Sequence, residues 1–402
     1  MPGYKGVEHL RKKLAARQPR VLMRYKYYDM KNTARDLSGV MPKQFAWLHP
    51  VLGWCAKAAD SISDRIVFEG FSGDGLGLDE IYSMNSADVL TDCAVTSAVR
   101  SSCSFIYIAA DEDGFPRLQS IDGGHATGEL DPVTRMLTEG YAVLESDADH
   151  KTEAYFTAES TQIFRDGALT DEFENPAPYA LLVPVIHRPD PVRPFGRSRI
   201  SRACMELTNS AIRTLKRSEV SAEFYSFPQK YILGLDPEAE PFEKWQATIS
   251  TLLQFDKDGE GDHPTVGQFQ QQSMAPYNDQ LRTIASMFAG ETGLTLDDLG
   301  FSTANPTTPE AIRASHETLR LAARKAQRDF AVGFLNAGYL AACVRDEYAY
   351  DRSVIRETKV EYEPIFEPDA AQLSGLGDAI LKIQQAFPDY FDESKLHRMT
   401  GL

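Results

Sequence analysis

Three prolines, Pro189, Pro191 and Pro194, fall within six residues, and no regular element can run through them. A proline ring fixes φ at about −65° and removes a backbone donor, so it continues neither a helix nor a central strand. The stretch Arg188 to Pro194 therefore divides the chain. Before it come two helical segments, His9 to Met30 and Pro50 to Ile66, the latter with Trp54 and Ala58 on one face. Short alternating runs follow: Ser104 to Ala109, Arg117 to Ile121, Gly140 to Leu144, Glu153 to Thr157 and Thr161 to Arg165. Apolar–polar alternation at this length, broken by Asp/Gly turns, is the pattern of half-buried antiparallel strands. The fold class expected is α+β.

After the prolines the periodicity turns helical. Ile200, Ala203, Cys204, Leu207, Ala211 and Leu215 recur at i, i+3, i+4, i+7 spacing, predicting an amphipathic helix from Gly196 to Phe227 that Pro228 ends. A compact insert from Gln229 to Gln272 reads as a strand (Lys230 to Leu235), a helix (Pro241 to Leu253), a polar turn (Asp256 to Pro264) and a second strand (Thr265 to Phe269). Tyr277 to Thr292 is again helical, and Gly293 to Thr308 is a loop rich in Gly, Asn, Pro, Ser and Thr. Thr308 as N-cap, Pro309 at the first helical position and Glu310 in the first turn open a helix running to Arg345, roughly 50 Å long. One stripe of it is apolar (Ile312, Leu319, Ala323, Ala326, Phe330, Phe334), and another alternates in charge (Glu310, Arg313, Glu317, Arg320). A strand from Val354 to Phe366 and two helices, Asp369 to Phe387 and Asp392 to Thr400, close the chain.

With 402 residues the length favours two or three domains. Acidic residues outnumber basic ones by 58 to 42, for a net charge of −16, which argues against a protein that coats nucleic acid or an anionic membrane. No stretch reaches the roughly 18 apolar residues of a membrane span. The five cysteines are irregularly spaced, which disfavours a zinc site or a disulfide framework and favours reduced, mostly buried thiols. The N-terminus is basic, with eight Lys and Arg up to Lys26 against Glu8, and reads as a solvated basic helix or a targeting segment.

Chemistry-bearing motifs are missing. The phosphate-cradling G-x-x-x-x-G-K-[ST] pattern does not occur. The cluster Gly70, Gly73, Gly75, Gly77 has Leu78 where a dinucleotide fingerprint needs its third glycine, and reads as a flexible hairpin with no helix start after it. Asp256 to Asp262 begins like a calcium loop, but Gly267 stands in place of the bidentate Glu. The eight histidines show no metal-ligand spacing. No catalytic residue, cofactor or metal is expected.

Three stretches together resemble the portal proteins of tailed bacteriophages, in particular the siphovirus-type group. They are Pro194-Phe-Gly-Arg-Ser-Arg-Ile-Ser201, running into the helix to Tyr225 and then Pro228 to Gly234; Gly293 to Pro306, leading into Pro309-Glu-Ala-Ile-Arg313; and Val360 to Pro368, followed by Asp378 to Ile383. The stretch from Gly293 to Arg313 is similar to the family's loop and helix that line a channel. Each stretch is only moderately specific, and their joint order over about 190 residues carries the likeness.

The resemblance implies a non-enzymatic ring, commonly of twelve chains, at one vertex of the virion capsid, its chains made in the host cytoplasm. Double-stranded DNA enters and leaves through it, and its partners are the terminase large subunit, a head-tail adaptor and the major capsid or scaffolding protein, with no membrane. The implied parts are an N-terminal and wing region (1–195), a first stem helix (196–227), a small α/β clip (228–275), a second stem helix (276–292), a tunnel loop (293–308), a long wing helix (309–346), a wing return strand (347–367) and a short helical crown (368–402). Phe301, Ser302, Thr303, Ala304, Asn305, Pro306 and Thr307 would face DNA. Arg213, Lys216 and Arg217 would face DNA or a neighbouring subunit, with a solvated face as the plain alternative. Gln229, Lys230 and Tyr231 would face a partner of the clip. Other readings are another head protein, such as a minor capsid or adaptor protein, and a metal-dependent hydrolase or nuclease.

Overall fold

The computed structural model describes residues 3–36, 43–147, 150–226, 230–233, 265–268, 273–301, 308–366 and 370–387, with 390 and 396. The chain divides into two compact units. One comprises Met1–Asn32, Gly53–Met205 and Ala289–Leu402, the other Thr33–Leu52 and Glu206–Phe288.

In the larger unit, helix α1 (Val7–Tyr28) is followed by α2 (Trp54–Ser63), strand β1 (Phe68–Ser72), α3 (Leu78–Met84) and α4 (Ala87–Ser101). Strands β2 (Cys103–Ala110), β3 (Pro116–Ile121) and β9 (Leu182–Ile186) form an antiparallel sheet in the order β3-β2-β9. Between β3 and β9 the chain makes a five-stranded antiparallel meander: β4 (Ala126–Leu130), β5 (Leu137–Ser146), β6 (Lys151–Phe156), β7 (Ser160–Arg165) and β8 (Ala168–Glu174). The other unit carries most of α5 (Arg202–Ser226) and α6 (Ala275–Thr292), and the antiparallel pair β10 (Lys230–Leu233) and β11 (Thr265–Gln268). Back in the larger unit lie α7 (Pro309–Ser315), α8 (Glu317–Arg345), β12 (Lys359–Tyr362) and α9 (Ala370–Ala386). Mixed helix and sheet, with helices segregated from antiparallel strands, is the α+β class expected.

The apolar stripe of α8 explains where the core sits. Leu319, Ala323, Ala326, Phe330 and Phe334 are all essentially buried, as their spacing predicts, whereas Ile312 is half exposed. Phe334 joins Phe68, Phe71 and Tyr82 in an aromatic cluster, and the Tyr82 hydroxyl donates to the Phe334 carbonyl at 2.7 Å. Burying a tyrosine that finds this partner avoids the cost of an orphaned hydroxyl.

The basic N-terminal helix differs from the solvated one expected. Leu10 and Leu14 pack on Tyr141 and Tyr155 of the five-stranded sheet. Two sheet carboxylates, Glu139 and Glu153, are 2% and 3% exposed and receive the helix. Glu139 accepts the Lys5 and Gly6 backbone N–H groups at 3.0 and 3.1 Å and the Tyr155 hydroxyl at 2.9 Å. Glu153 pairs with Arg11 at 2.5 Å and accepts the Tyr141 hydroxyl and Lys151. Burial alone would raise the Glu153 pKa, but hydrogen bonds from Lys151, Tyr141 and Arg11 outweigh it and hold the carboxyl below its ordinary value.

Other expectations are corrected. The glycine cluster is no hairpin: β1 pairs with the distant β12, and α3 starts at Leu78 with Asp79 and Glu80 in its first turn, a favourable place for acids. Helix α4 was not among the expected elements, although Leu90, Ala94, Val95, Ala98 and Val99 recur at helical spacing and are buried. The strand expected from Val354 shrinks to Lys359–Tyr362, since the Asp351 carboxylate caps a 3₁₀ turn at Arg352–Ile355. The amphipathic helix expected from Gly196 starts at Arg202. Gly196 has φ +72°, and a Cβ there would lie 2.1 Å from the His187 carbonyl, a position open only to glycine.

Residues 197–200 are spent on tertiary contacts instead of helix. Arg197 N–H donates to the His187 carbonyl at 2.9 Å, Ser198 Oγ to the Arg100 carbonyl at 2.5 Å, and Arg199 N–H to the Val99 carbonyl at 2.9 Å. In return the His187 ring, 2% exposed, donates Nδ1–H to the Arg197 carbonyl at 2.7 Å and stacks on Phe330. Burial pushes the His187 pKa down to about 3. A histidine buried neutral contributes stability that is complete above its unfolded pKa of about 6.5 and is lost as pH falls towards its folded value. Urea unfolding is therefore expected to show about 2 kcal/mol less stability from this group at about pH 5 than at about pH 7. A His187→Asn variant should lack that increment; an equal pH loss in both proteins would refute the assignment.

Candidate functional site

The loop read as channel-facing is flanked by two feet, and the sequence builds each locally. At the first, helix α6 ends at Thr292, and Gly293 turns the chain with φ +68°, where a Cβ would lie 2.9 Å from Thr318. Thr295 and Asp298 then cap each other reciprocally around the 3₁₀ turn Asp297–Leu299. Thr295 N–H donates to Asp298 Oδ2 at 2.8 Å, and Asp298 N–H donates to Thr295 Oγ1 at 3.2 Å. Phe301 N–H closes the foot on the Leu296 carbonyl at 3.0 Å.

At the second foot, Thr308 caps α7 as its sequence predicts, with Ala311 N–H donating to Thr308 Oγ1 at 3.3 Å and Pro309 at the first helical position. The single long helix expected is instead two: α7 ends and α8 begins at His316 (φ −95°, ψ 6°). The side chains explain the break. Ser315 Oγ donates to the Ile312 carbonyl at 2.6 Å and the His316 Nδ1 lies 2.9 Å from the same oxygen, so both side chains compete for a helical acceptor.

The two feet are stapled. His316 Nε2 lies 3.3 Å from Asp298 Oδ2, with both side chains less than one-fifth exposed. Burial would raise the Asp298 pKa, but the Thr295 hydrogen bonds and the His316 ring hold it below the ordinary carboxylate value. Residues 302–307 thus join two anchors pinned to each other. Phe301 belongs to the first foot; Ser302, Thr303, Ala304, Asn305, Pro306 and Thr307 lie outside the described residues.

The roots of α5 and α6 meet at one buried cation. Arg199, 9% exposed, reaches the Ala58 carbonyl through Nε at 3.2 Å and the Thr292 carbonyl through Nη2. Thr292 is the last residue of α6, where unsatisfied carbonyls concentrate negative charge, so a guanidinium is suited to it. Burial lowers the Arg199 pKa to about 10. Beside it, Ser201 Oγ caps α5 by accepting Cys204 N–H at 3.1 Å and donates to Glu291 at 2.9 Å.

The basic residues of α5 have different surroundings. Lys216 is buried, with its ammonium 3.0 Å from Asp36. Arg213 donates to Ser210 Oγ at 2.8 Å, and Arg217 is half-buried. The face of α5 that is buried carries Cys204, Thr208, Ala211, Ile212 and Val220, while Ala203 is exposed, a small rotation from the stripe expected. Ser221 Oγ and the Tyr277 hydroxyl, 2.8 Å apart, tie α5 to α6. In the insert, Lys230 and Tyr231 lie in β10, opposite Gln268 and Gly267 of β11, at the strands expected there. Gln229, the helix Pro241 to Leu253, the calcium-like turn Asp256 to Asp262 and the closing helix Asp392 to Thr400 lie outside the described residues.

Asp298, His316 and Arg199 were not singled out from sequence. Only the first had a legible signal, the capping-box spacing Thr295-x-x-Asp298.

No family model matches the chain. The portal protein of Mycobacterium phage L5 is 26% identical over 320 residues, which span 73% of this chain and 65% of the phage protein. The portal protein of Mycobacterium phage D29 is also 26% identical, over 326 residues and the same shares. The chain thus spans just under two thirds of the length of these relatives. Among solved structures, a chain from the virion of a native gene transfer agent particle matches with 13% identity and a TM-score of 0.45, over 95% of this chain and 99% of that one. In sequence, this chain is a relative of the portal proteins of mycobacteriophages.

Proposed function

We propose that the chain is a phage portal protein with a structural role, forming a closed ring of about twelve copies at one vertex of the virion capsid. Double-stranded DNA passes through the ring during packaging and ejection, and the ring docks the terminase large subunit and then a head-tail adaptor. The observation that carries this reading is the similarity to two portal proteins over nearly three quarters of the chain. The stapled feet support it further. They are pinned to each other through Thr295, Asp298 and His316, so contact between residues 302–307 and a moving duplex need not disturb the scaffold. In this reading 293–308 is the tunnel loop, α5 and α6 are the stem, 228–275 is the clip, α7 and α8 are the wing helix, and 368–402 is the crown.

Net acidity fits a conduit. A wall of largely like charge lets a polyanion slide, whereas a clamp needs many fixed phosphate contacts.

Light scattering is expected to give a mass about twelve times 44.8 kDa. Deleting residues 302–307 should leave that mass unchanged and impair packaging or retention of DNA in an infection or in vitro packaging assay. A deletion variant that no longer assembles would show that the segment is part of the ring scaffold and overturn its assignment. Asp298→Ala should cost about 0.5–2 kcal/mol of stability, as removal of a capping residue does, and speed proteolytic cleavage within 302–307. Unchanged cleavage would mean that the staple does not hold the loop.

A further inference from the structure

Four guanidinium groups converge on a cleft of about 310 Å³ between α1 and the Arg193–Gly196 turn: Arg17, Arg20, Arg24 and Arg193. Phe195 lines the same cleft, with the Arg17 guanidinium 6.0 Å from its ring centre. Like charges are costly to gather, and here none of the four has a carboxylate within ion-pair reach among the described residues. Lys13, at the cleft's margin, is different, since Glu129 holds it at 2.7 Å. Arg17 Nη1 is buried without any hydrogen-bond partner, while its Nη2 reaches Cys103 Sγ at 2.8 Å. Arg24 donates to the Ser101 carbonyl at 2.9 Å, a neutral acceptor. Burial and the three neighbouring arginines push the Arg24 pKa down to about 10, the signature of cations crowded without a counter-charge. A buried donor without a partner, set among cations without a counter-charge, suits an anionic group.

The opposite edge of the five-stranded sheet has the complementary surface. Thr127 of β4 lines the basic cleft, and β8 lies at the other end of the order β4-β5-β6-β7-β8, roughly 19 Å away at about 4.8 Å per strand. Strand β8 is exposed at every residue, and its outer edge has no strand partner among the described residues. It carries Asp171, Glu172 and Glu174, with Leu169 and Phe173 more than half exposed. A long exposed edge with bare apolar side chains is a surface that folded proteins cover.

We infer that these surfaces are the two halves of a head-to-tail contact between copies of this chain, the acidic edge strand β8 of one copy seating its carboxylates in the arginine cleft of the next. Unlike patches at opposite edges of one sheet make a heterologous interface, and repetition of such an interface generates a ring when its rotation closes. The carboxylates supply the missing counter-charge, and Phe173 meets a site already walled by Phe195 and guanidinium faces. The partner's chemistry is thus found on the chain itself. The inference rests on the ring-forming reading for its closure, and it adds which surfaces meet.

The test uses exposed positions, so that folding is preserved. A cleft variant carries Arg20→Glu and Arg193→Glu, and an edge variant carries Asp171→Lys and Glu174→Lys. Each alone is expected to associate at least about tenfold more weakly than the unaltered chain, running near 44.8 kDa in light scattering at concentrations where the unaltered chain assembles. Mixed one to one, they should regain association, because an intact edge in one chain meets an intact cleft in the other; a misfolded variant could not do this. Full assembly of each variant alone, or failure of the mixture to associate, overturns the inference while leaving the portal reading standing. Loss of binding to a duplex oligonucleotide with assembly intact assigns the cleft to phosphate and overturns it as well. An unaltered chain that stays monomeric at all concentrations refutes both.

Discussion

A single buried guanidinium, that of Arg199, holds together parts of the chain that lie far apart in sequence. It binds the Ala58 carbonyl within α2 and the last carbonyl of α6, and stands three residues before α5 begins. Among the described residues no carboxylate lies within ion-pair distance of it, and two backbone carbonyls receive its donors. Guanidinium geometry suits the task, because its fan of donors reaches two carbonyls in different directions and its charge persists even when burial lowers its pKa. Lysine would offer a point charge that burial deprotonates more readily. The irregular stretch from Gly196 to Ser201 exists to deliver this side chain, which is why it is not helix.

Electrostatics in this protein are local, and the net charge hides them. Within an acidic chain, α1 gathers cations and disposes of them in two ways. Arg11 and Lys13 are matched to Glu153 and Glu129, and the pairing draws the Glu129 pKa down to about 2 against the opposing effect of burial. Arg17, Arg20 and Arg24, further along the same helix, have no such match among the described residues. The first group fastens the helix to its own sheet. The other leaves a positive pole at one edge of a sheet whose far edge is acidic.

Periodicity made the strands and the buried stripe of α8 legible, because alternation at two residues and recurrence at 3.6 report which face is apolar. The helix start at Thr308 to Pro309 was legible for the same kind of local reason. What was hidden depends on contacts between distant residues. Helix α4 mixes its buried stripe, Leu90, Ala94, Val95, Ala98 and Val99, with buried Thr91, Ser97 and Ser101, whose burial depends on the elements around them. The break at His316 arises from side chains bonding to Ile312, and its staple to Asp298 joins residues 18 apart through a loop. Glu139 and Glu153 resemble solvent-facing strand acids until α1 covers them. At the candidate site, the loop was visible as composition and its clamp was not.

The docking of α1 also sets an order of events during synthesis. Arg11 and its partner Glu153 are 142 residues apart, and Lys5 and Glu139 are 134 apart. At about 5–20 residues per second, a ribosome needs roughly 7 to 28 s to make the second partner after the first. For that interval α1 is an amphipathic basic helix with nothing to cover Leu10 and Leu14. The meander β4 to β7, built from neighbouring hairpins of low contact order, can assemble quickly once it emerges, and it presents the two carboxylates as a finished receptor. Helix α1 is thus made well before the strands that secure it, and the arginine cleft on its far half takes shape only once it docks.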